Sequence, residues 1–309
     1  MMVIGGIDAG GTATKCLLLD EHGKTLIAQK GSPANYQAGA EAAANAIRST
    51  LSAAMDGAGV DRVDLLGIGL AGAGRKPELL QMKQCLGTLV GVERYALTDD
   101  GEIAVLGAHR GQPGMVLVAG TGSIAYGLRR DGVMVRRGGW GAILGDEGSG
   151  YWIGLKAVQA VIRAEEGRDK ETRLTTVIRQ GLGIDSLAAL PSMVYNSSLG
   201  RRELASLAPV VVQTAAEGDP VAAAIIDAAT EELVHLVQTV QQLMDFQGSV
   251  VAISGGLFTN PQFATNFGQR LAKVSGLEAI KPHYPAVVGA VLYGARQAGW
   301  SLPFFELKP

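Results

Sequence analysis

The sequence predicts an α/β protein built from two related halves. Three observations carry this. The stretch Ile4–Asp20 reads as two apolar strands joined by the short Gly-rich turn Asp8-Ala9-Gly10-Gly11-Thr12. Met115–Leu128 repeats the device, with the turn Gly120-Thr121-Gly122-Ser123 between two more strands. After each hairpin comes a polar turn and a third strand, and then apolar patterns of helical and strand period. Strands mixed with helices in this way give a sheet layered with helices, its antiparallel strands at one side.

The elements follow in order. Lys24–Gln29 is the third strand, and the Ala-rich run Ala38–Met55 has helical spacing. Val63–Leu70 reads as a strand and Pro77–Leu89 as a helix opened by its proline. Arg94–Leu97 is a short strand ending at Thr98-Asp99-Asp100, and Ile103–Ala108 a short helix. The loop Gly111–Gly114 sets the expected boundary, with residues 1–112 as one domain and 113–286 as the other. In the second half, Val133–Arg136 is a strand, and helices are expected at Ser149–Glu165, Lys170–Gln180, Ser186–Val194 and Arg201–Glu217. Pro220–Phe246 carries a long apolar helical stripe, Ser249–Ser254 is a buried strand, and Asn260–Leu271 and Val287–Gln297 are helices.

Composition narrows the function. The chain has 309 residues, with 27 Lys+Arg against 29 Asp+Glu, and this balance disfavours a nucleic-acid partner. Aromatics at 5% disfavour base-stacking platforms. No apolar stretch is long enough to span a bilayer, so no membrane partner is expected. The N-terminus enters a strand directly, and Cys16 and Cys85 read as reduced thiols; together these lead to an expected cytoplasmic location. The four His form no metal-type pair.

Four places bear chemistry. In the first turn, Gly10 and Gly11 let backbone N–H groups approach a phosphate, Thr12 adds a hydroxyl, and Asp8 is placed to hold a hydrated Mg²⁺. The same residues also fit an ordinary hairpin turn with a capping Asp. Gly67-Ile68-Gly69-Leu70-Ala71-Gly72 matches a dinucleotide-binding pattern, but its glycines lie inside an apolar run, far from the helix start near Pro77 that should meet a pyrophosphate. At Asp99-Asp100, one carboxylate can cap the following helix while the other accepts a proton from a substrate hydroxyl. Gly138–Ile153, GGWGAILGDEGSGYWI, sets Trp140, Tyr151 and Trp152 beside Asp146 and Glu147. Rings beside carboxylates suit a sugar; the same residues also suit a Gly-rich loop with a helix cap and two core Trp. Gly255-Gly256, after a buried strand, is a further point of close approach, suited to adenine or to a plain turn.

These residues resemble the N-acetylglucosamine kinase-like sugar kinases of the BadF/BadG/BcrA/BcrD-type ATPase family, within the actin-like ATPase and sugar kinase superfamily. The most specific match is Gly138-Gly139-Trp140-Gly141 with Gly145-Asp146-Glu147-Gly148-Ser149 and Tyr151-Trp152-Ile153. The resemblance implies two ribonuclease H-like domains with a central cleft, the last helix (about residues 287–300) packing back on the first domain. It implies ATP and Mg²⁺ as cofactors, a small sugar as partner, and a homodimer. Nucleotide binding falls to Gly10, Gly11, Thr12, Lys15, Thr121, Gly122, Ser123, Gly255 and Gly256, and metal binding to Asp8. Asp100 matches the family's catalytic Asp when counted back from the Ile-Ala and Gly-Ala that follow it. Asn35, Trp140, Gly141, Asp146 and Glu147 fall to the sugar. The same family includes iron–sulfur ATPases that activate dehydratases, with cysteines in the second half. Here both cysteines lie in the first half, which departs from that branch. The expected reaction is transfer of the γ-phosphoryl group of ATP to the 6-hydroxyl of N-acetylglucosamine or glucosamine. The competing expectation is a regulatory ATP-binding switch.

Overall fold

A computed structural model describes residues 1–36, 39–196 and 198–300. The elements run β1 (Val3–Ala9), β2 (Thr14–Asp20), β3 (Thr25–Gly31), α1 (Ala40–Ala58), β4 (Leu65–Leu70), α2 (Lys76–Leu86), β5 (Tyr95–Asp99) and α3 (Asp100–Ala108). Then come β6 (Gly114–Ala119), β7 (Ser123–Leu128), β8 (Met134–Gly138), α4 (Gly150–Glu165), α5 (Leu174–Leu182), α6 (Leu190–Tyr195), α7 (Arg201–Ser206) and α8 (Ala208–Ala216). The chain ends with α9 (Pro220–Gln241), β9 (Val250–Ser254), α10 (Pro261–Ser275), β10 (Glu278–Ile280) and α11 (Ala286–Gln297). It divides into two compact units. One is Met1–Gly114 with the chain from Pro282 on, and the other is Met115–Lys281.

In the first unit the strand order is β3-β2-β1-β4-β5. β1–β2 and β2–β3 are antiparallel, β1–β4 and β4–β5 parallel. Side chains alternate across this sheet as strand geometry requires. Ile4, Leu17, Leu19 and Leu65 meet Val288, Val291 and Ala295 of α11. Ile7, Leu18, Leu66, Ile68 and Leu70 meet Ile47 and Leu51 of α1 and Met82 and Leu86 of α2. Each such side chain contributes roughly 1.5–3 kcal/mol on burial. The glycines of the dinucleotide-like pattern have a packing role here. Gly67 lies in β4 with the Ala290 carbonyl of α11 where a Cβ would be, and Gly69 has Ile103 of α3 there. Side chains at either position would push the helices off the sheet.

The second unit repeats the scaffold in the order β8-β7-β6-β9-β10. β7–β8 is antiparallel and β6–β9 and β9–β10 are parallel. Its core joins Met115, Leu117 and Ala119 of β6 to Ile153 and Ala157 of α4, Leu233 and Val237 of α9, and Phe263 and Phe267 of α10. Phe258 meets Phe267 edge-on at 5.2 Å, a favoured aromatic arrangement.

Most differences from the sequence expectations lie at ends and breaks. The helix expected over Arg201–Glu217 is two helices, α7 and α8, broken at Leu207 shortly before Pro209. Ser186–Val194 opens with a 3-10 turn at Leu187–Ala189 before α6. α9 stops at Gln241, within the stretch Pro220–Phe246 expected to contain it and before Leu243 and Met244 of its stripe. α3 starts at Asp100, earlier than expected, because Asp99 caps it. β10 is a short strand that the sequence pattern did not signal. The expected α1 start at Ala38 lies outside the described residues.

Candidate active site

In the first unit the candidate residues gather at the carboxyl ends of the parallel strands β1, β4 and β5. The pairing register aligns Ala9 with Leu70 and Leu70 with Asp99. Asn35 forms an isolated parallel bridge with Ala71, one residue beyond β4. The β1–β2 turn is closed by the Gly10 N–H donating to the Ala13 carbonyl at 3.1 Å, and Ala34 donates to the Gly10 carbonyl at 3.0 Å. That second bond holds the Asn35 segment against the turn: a Cβ on Gly11 would lie 3.4 Å from the Asn35 amide nitrogen. Gly11 and Thr12 are exposed.

Asp8 pairs across the hairpin with Lys15, its carboxylate 3.6 Å from the ammonium. Burial pushes the Asp8 carboxyl up from its ordinary range, and Lys15 pulls it partly back. At the end of β5 the two acids occupy different places. Asp99 is the N-cap of α3, accepting the Glu102 N–H at 2.8 Å. Asp100 is the first residue of that helix. Glu102 in turn accepts the Thr98 hydroxyl at 2.6 Å, and its burial pushes its own carboxyl up. This Thr98–Asp99–Glu102 arrangement pins the start of α3.

In the second unit the β6–β7 turn lies at the carboxyl ends of β6 and β9. Gly120 adjoins Gly256: a Cβ on Gly120 would meet the Gly256 nitrogen at 3.5 Å. Gly255 has φ 103° and lies against the Ala119 carbonyl, so only glycine fits. Gly256 has open space around it. Thr121 is exposed, whereas the Ser123 hydroxyl is buried and donates to the Glu147 carbonyl at 2.7 Å.

The loop between β8 and α4 braces this turn. Gly150 donates to the Gly120 carbonyl at 2.8 Å and Tyr151 to the Thr121 carbonyl at 3.3 Å. Ser149 caps α4 by accepting the Trp152 N–H at 3.2 Å. Asp146, 2% exposed and at φ 61°, turns one oxygen to the Ser123 N–H at 3.4 Å. Its other oxygen accepts from Arg201 at 2.6 Å. Trp140 is 63% exposed, Glu147 is exposed, and Gly141 has open space around it. Trp152 and Tyr151 pack instead against the core.

Sequence reasoning missed Arg201. It lies 55 residues from its partner Asp146, at the start of the helix expected over Arg201–Glu217. No group of three or more metal-type side chains able to hold an ion occurs among the described residues. No helix among them is long and apolar enough to cross a membrane. Cys16 is buried, its thiol pushed up to about 12 by that burial, and Cys85 is half-buried; neither is bridged.

A five-stranded sheet present twice, each copy with a Gly/Thr turn between its first two strands, defines the actin-like ATPase and sugar-kinase class. Within that class the chain belongs to the BadF/BadG/BcrA/BcrD ATPase family, whose model matches residues 6–294. It is 31% identical to the N-acetylmuramic acid/N-acetylglucosamine kinase of Clostridium acetobutylicum, over 84% of this chain and 87% of that one. It is 30% identical to the N-acetyl-D-glucosamine kinase of Dictyostelium discoideum, over 76% of this chain and 78% of that one. Among solved structures, a candidate N-acetylglucosamine kinase from Chromobacterium violaceum superposes with a TM-score of 0.76 at 30% identity, covering 94% of this chain and 98% of that one.

Proposed function

We propose that this chain is an ATP-dependent kinase that phosphorylates the 6-hydroxyl of an amino sugar, N-acetylglucosamine or glucosamine. The observation that carries the reading is the split at the end of β5. Asp99 caps α3 and Asp100 opens it at the carboxyl end of β5, and in a chain similar to N-acetylglucosamine kinases we assign proton transfer to Asp100. The similarity to kinases favours phosphoryl transfer over a regulatory ATP switch.

The residues fit ATP and Mg²⁺. Gly11 and Gly256 leave the backbone open to a close ligand, and Thr12 and Thr121 present exposed hydroxyls. Mg²⁺ keeps most of its waters and needs only one or two protein carboxylates besides the phosphates, a demand that Asp8 alone can meet. When bound, the ion neutralises phosphate charge. In this reading the turn residues Gly10, Gly11, Thr12, Thr121 and Gly122 bind phosphates, with Lys15 contributing charge. Ser123 acts through its backbone, since its hydroxyl is held by Glu147. Gly255 and Gly256 form a flat floor for adenine.

Asp100 accepts the proton of the attacking hydroxyl, and the remaining work is positioning and charge stabilisation. Sugar binding is assigned to Asn35 in the first unit and, in the second, to Trp140, Gly141 and Glu147. Asp146 fixes the loop that carries Trp140 and Glu147. A coupled ADP-release assay with N-acetylglucosamine, glucosamine, glucose and a 6-deoxy analogue tests the proposal. Turnover should rise with the amino sugars above glucose and stay basal with the 6-deoxy sugar. Tight ATP binding with no sugar-stimulated turnover would return the switch reading.

A further inference from the structure

We infer that Arg201 is a phosphate-binding residue of the second unit, aimed by Asp146 at the terminal phosphate of the nucleotide. This rests on the proposed kinase reading and extends it to a residue outside both Gly/Thr turns.

Gly122 is packed against the guanidinium. A Cβ there would overlap a terminal nitrogen of Arg201 and lie 2.9 Å from both Asp146 oxygens. The guanidinium therefore lies directly on the turn, and the missing side chain of Gly122 makes room for it. Arg201 is held there by a 2.6 Å ion pair to a carboxylate that is 2% exposed. Such a pair is costly to break, because removing one partner strands the other charge in the interior. Yet the Arg201 side chain itself is 47% exposed. A guanidinium carries a fork of N–H donors, and only one of its nitrogens is given to Asp146. The rest of the fork is open to a ligand on the turn.

Planar bidentate donation is the form in which arginine recognises phosphate. A fixed cation beside a Gly/Thr turn stabilises the charge that spreads over the equatorial oxygens of a transferring phosphoryl group. The chain supplies no lysine inside its turn sequence for that task, as a P-loop does. Arg201, brought in from α7, fills that role. Asp146 is accordingly the residue that positions it: the strained φ of Asp146 turns its carboxylate under the loop, where it meets the Ser123 N–H and the guanidinium together.

The test compares the wild-type chain with Arg201→Met and Arg201→Lys. Sugar-dependent ADP release gives kcat, and calorimetry gives ATP and ADP affinities separately. In Arg201→Met, kcat should fall by roughly 10²–10³-fold, the usual worth of one transition-state donor. ATP affinity should drop toward that of ADP, with ADP affinity unchanged within about twofold. Added guanidinium ion at low millimolar concentration should restore part of kcat. Arg201→Lys, which keeps a cation beside Asp146, should fold and show a smaller loss confined to ATP and kcat. Two results would overturn the inference: full kcat with an intact preference for ATP over ADP, or an equal loss of both affinities, as a merely disarranged loop would give. If Arg201→Met does not fold, the same split in Arg201→Lys decides. Should the wild type show no sugar-dependent turnover, the kinase reading fails, and the ATP-against-ADP split still decides the role of Arg201.

Discussion

The β1–β2 turn and the β6–β7 turn occupy equivalent places in two copies of one scaffold, and they are furnished in opposite ways. β1 ends Asp8-Ala9 before Gly10, whereas β6 ends Val118-Ala119 before Gly120. The first turn has an acid on its strand, an exposed lysine opposite, and further acids at the end of β5. The second has no acid on its strand; its carboxylate, Asp146, comes from the loop before α4 and is already spent on Arg201 and the Ser123 N–H. The first turn is held by two backbone bonds and a near contact to Asn35. The second is braced by backbone donation from Gly150 and Tyr151 and by the Ser123–Glu147 bond. A duplicated unit has thus divided its labour. One copy carries acids, to which the proposed function gives the metal and the proton, and the other carries a braced turn with a cation beside it.

The largest expected effect breaks the first copy's share of that division. Asp100→Asn should lower kcat by roughly 10²–10⁴-fold with little change in sugar affinity. Asp99→Asn should change little, since Asn caps nearly as well as Asp, whereas Asp99→Ala should cost about 0.5–2 kcal/mol of stability and leave kcat largely intact. A dead Asp99→Asn beside an active Asp100→Asn would reverse the assignment of base and cap.

Next come the two glycines. Gly11→Val should fold normally, because its nearest neighbour is the Asn35 amide, and should weaken ATP binding at least tenfold by calorimetry. Gly122→Val should unfold the second unit or lower its melting temperature, because it collides with Asp146 and Arg201. Overpacking a rigid site usually costs about 1–3 kcal/mol, and here it also breaks a buried ion pair. Equal stability of the two variants would remove the contrast between the open and the braced turn.

Asp8 gives an effect of mixed sign. Its carboxyl is raised in the folded chain, by burial first and despite Lys15. A raised carboxyl pKa means that the folded state holds the proton more tightly than the unfolded chain does. The stability linked to it is fully present below the unfolded pKa and is lost as pH rises through the folded one. At neutral pH the ionised Asp8 therefore costs stability, so Asp8→Asn should melt no lower than wild type while losing Mg²⁺-dependent turnover. In the free enzyme, the acid limb of kcat/KM should lie above the ordinary aspartate range, and Lys15→Met should move it to still higher pH. An acid limb unmoved by Lys15→Met would mean that another group sets it.

How much of this was legible in the sequence depends on how local each feature is. The two hairpins were readable, because apolar strands and Gly/Thr turns are neighbours in the chain. The dinucleotide-like glycines could be set aside from sequence, since the helix start was too far away, but their packing role needed α11, more than 200 residues later. Asp100 was singled out by the resemblance, but that Asp99 is the residue that caps α3 needed the hydrogen bond from Glu102. The division of Arg201–Glu217 into two helices has a local mark in Pro209, two residues into α8. Asp146 was found as a residue and missed as an ion-pair partner, because Arg201 meets it only through the tertiary fold.

The identity of the product tests the kinase assignment most directly. Purified chain incubated with Mg²⁺, ATP and N-acetylglucosamine or glucosamine should give ADP and a sugar monophosphate in equal amounts. Phosphorus–proton NMR should couple the new phosphate to the protons on carbon 6. ADP formed with free inorganic phosphate, at a rate indifferent to either sugar, would contradict the assignment of these turns and of Asp100 to sugar phosphorylation.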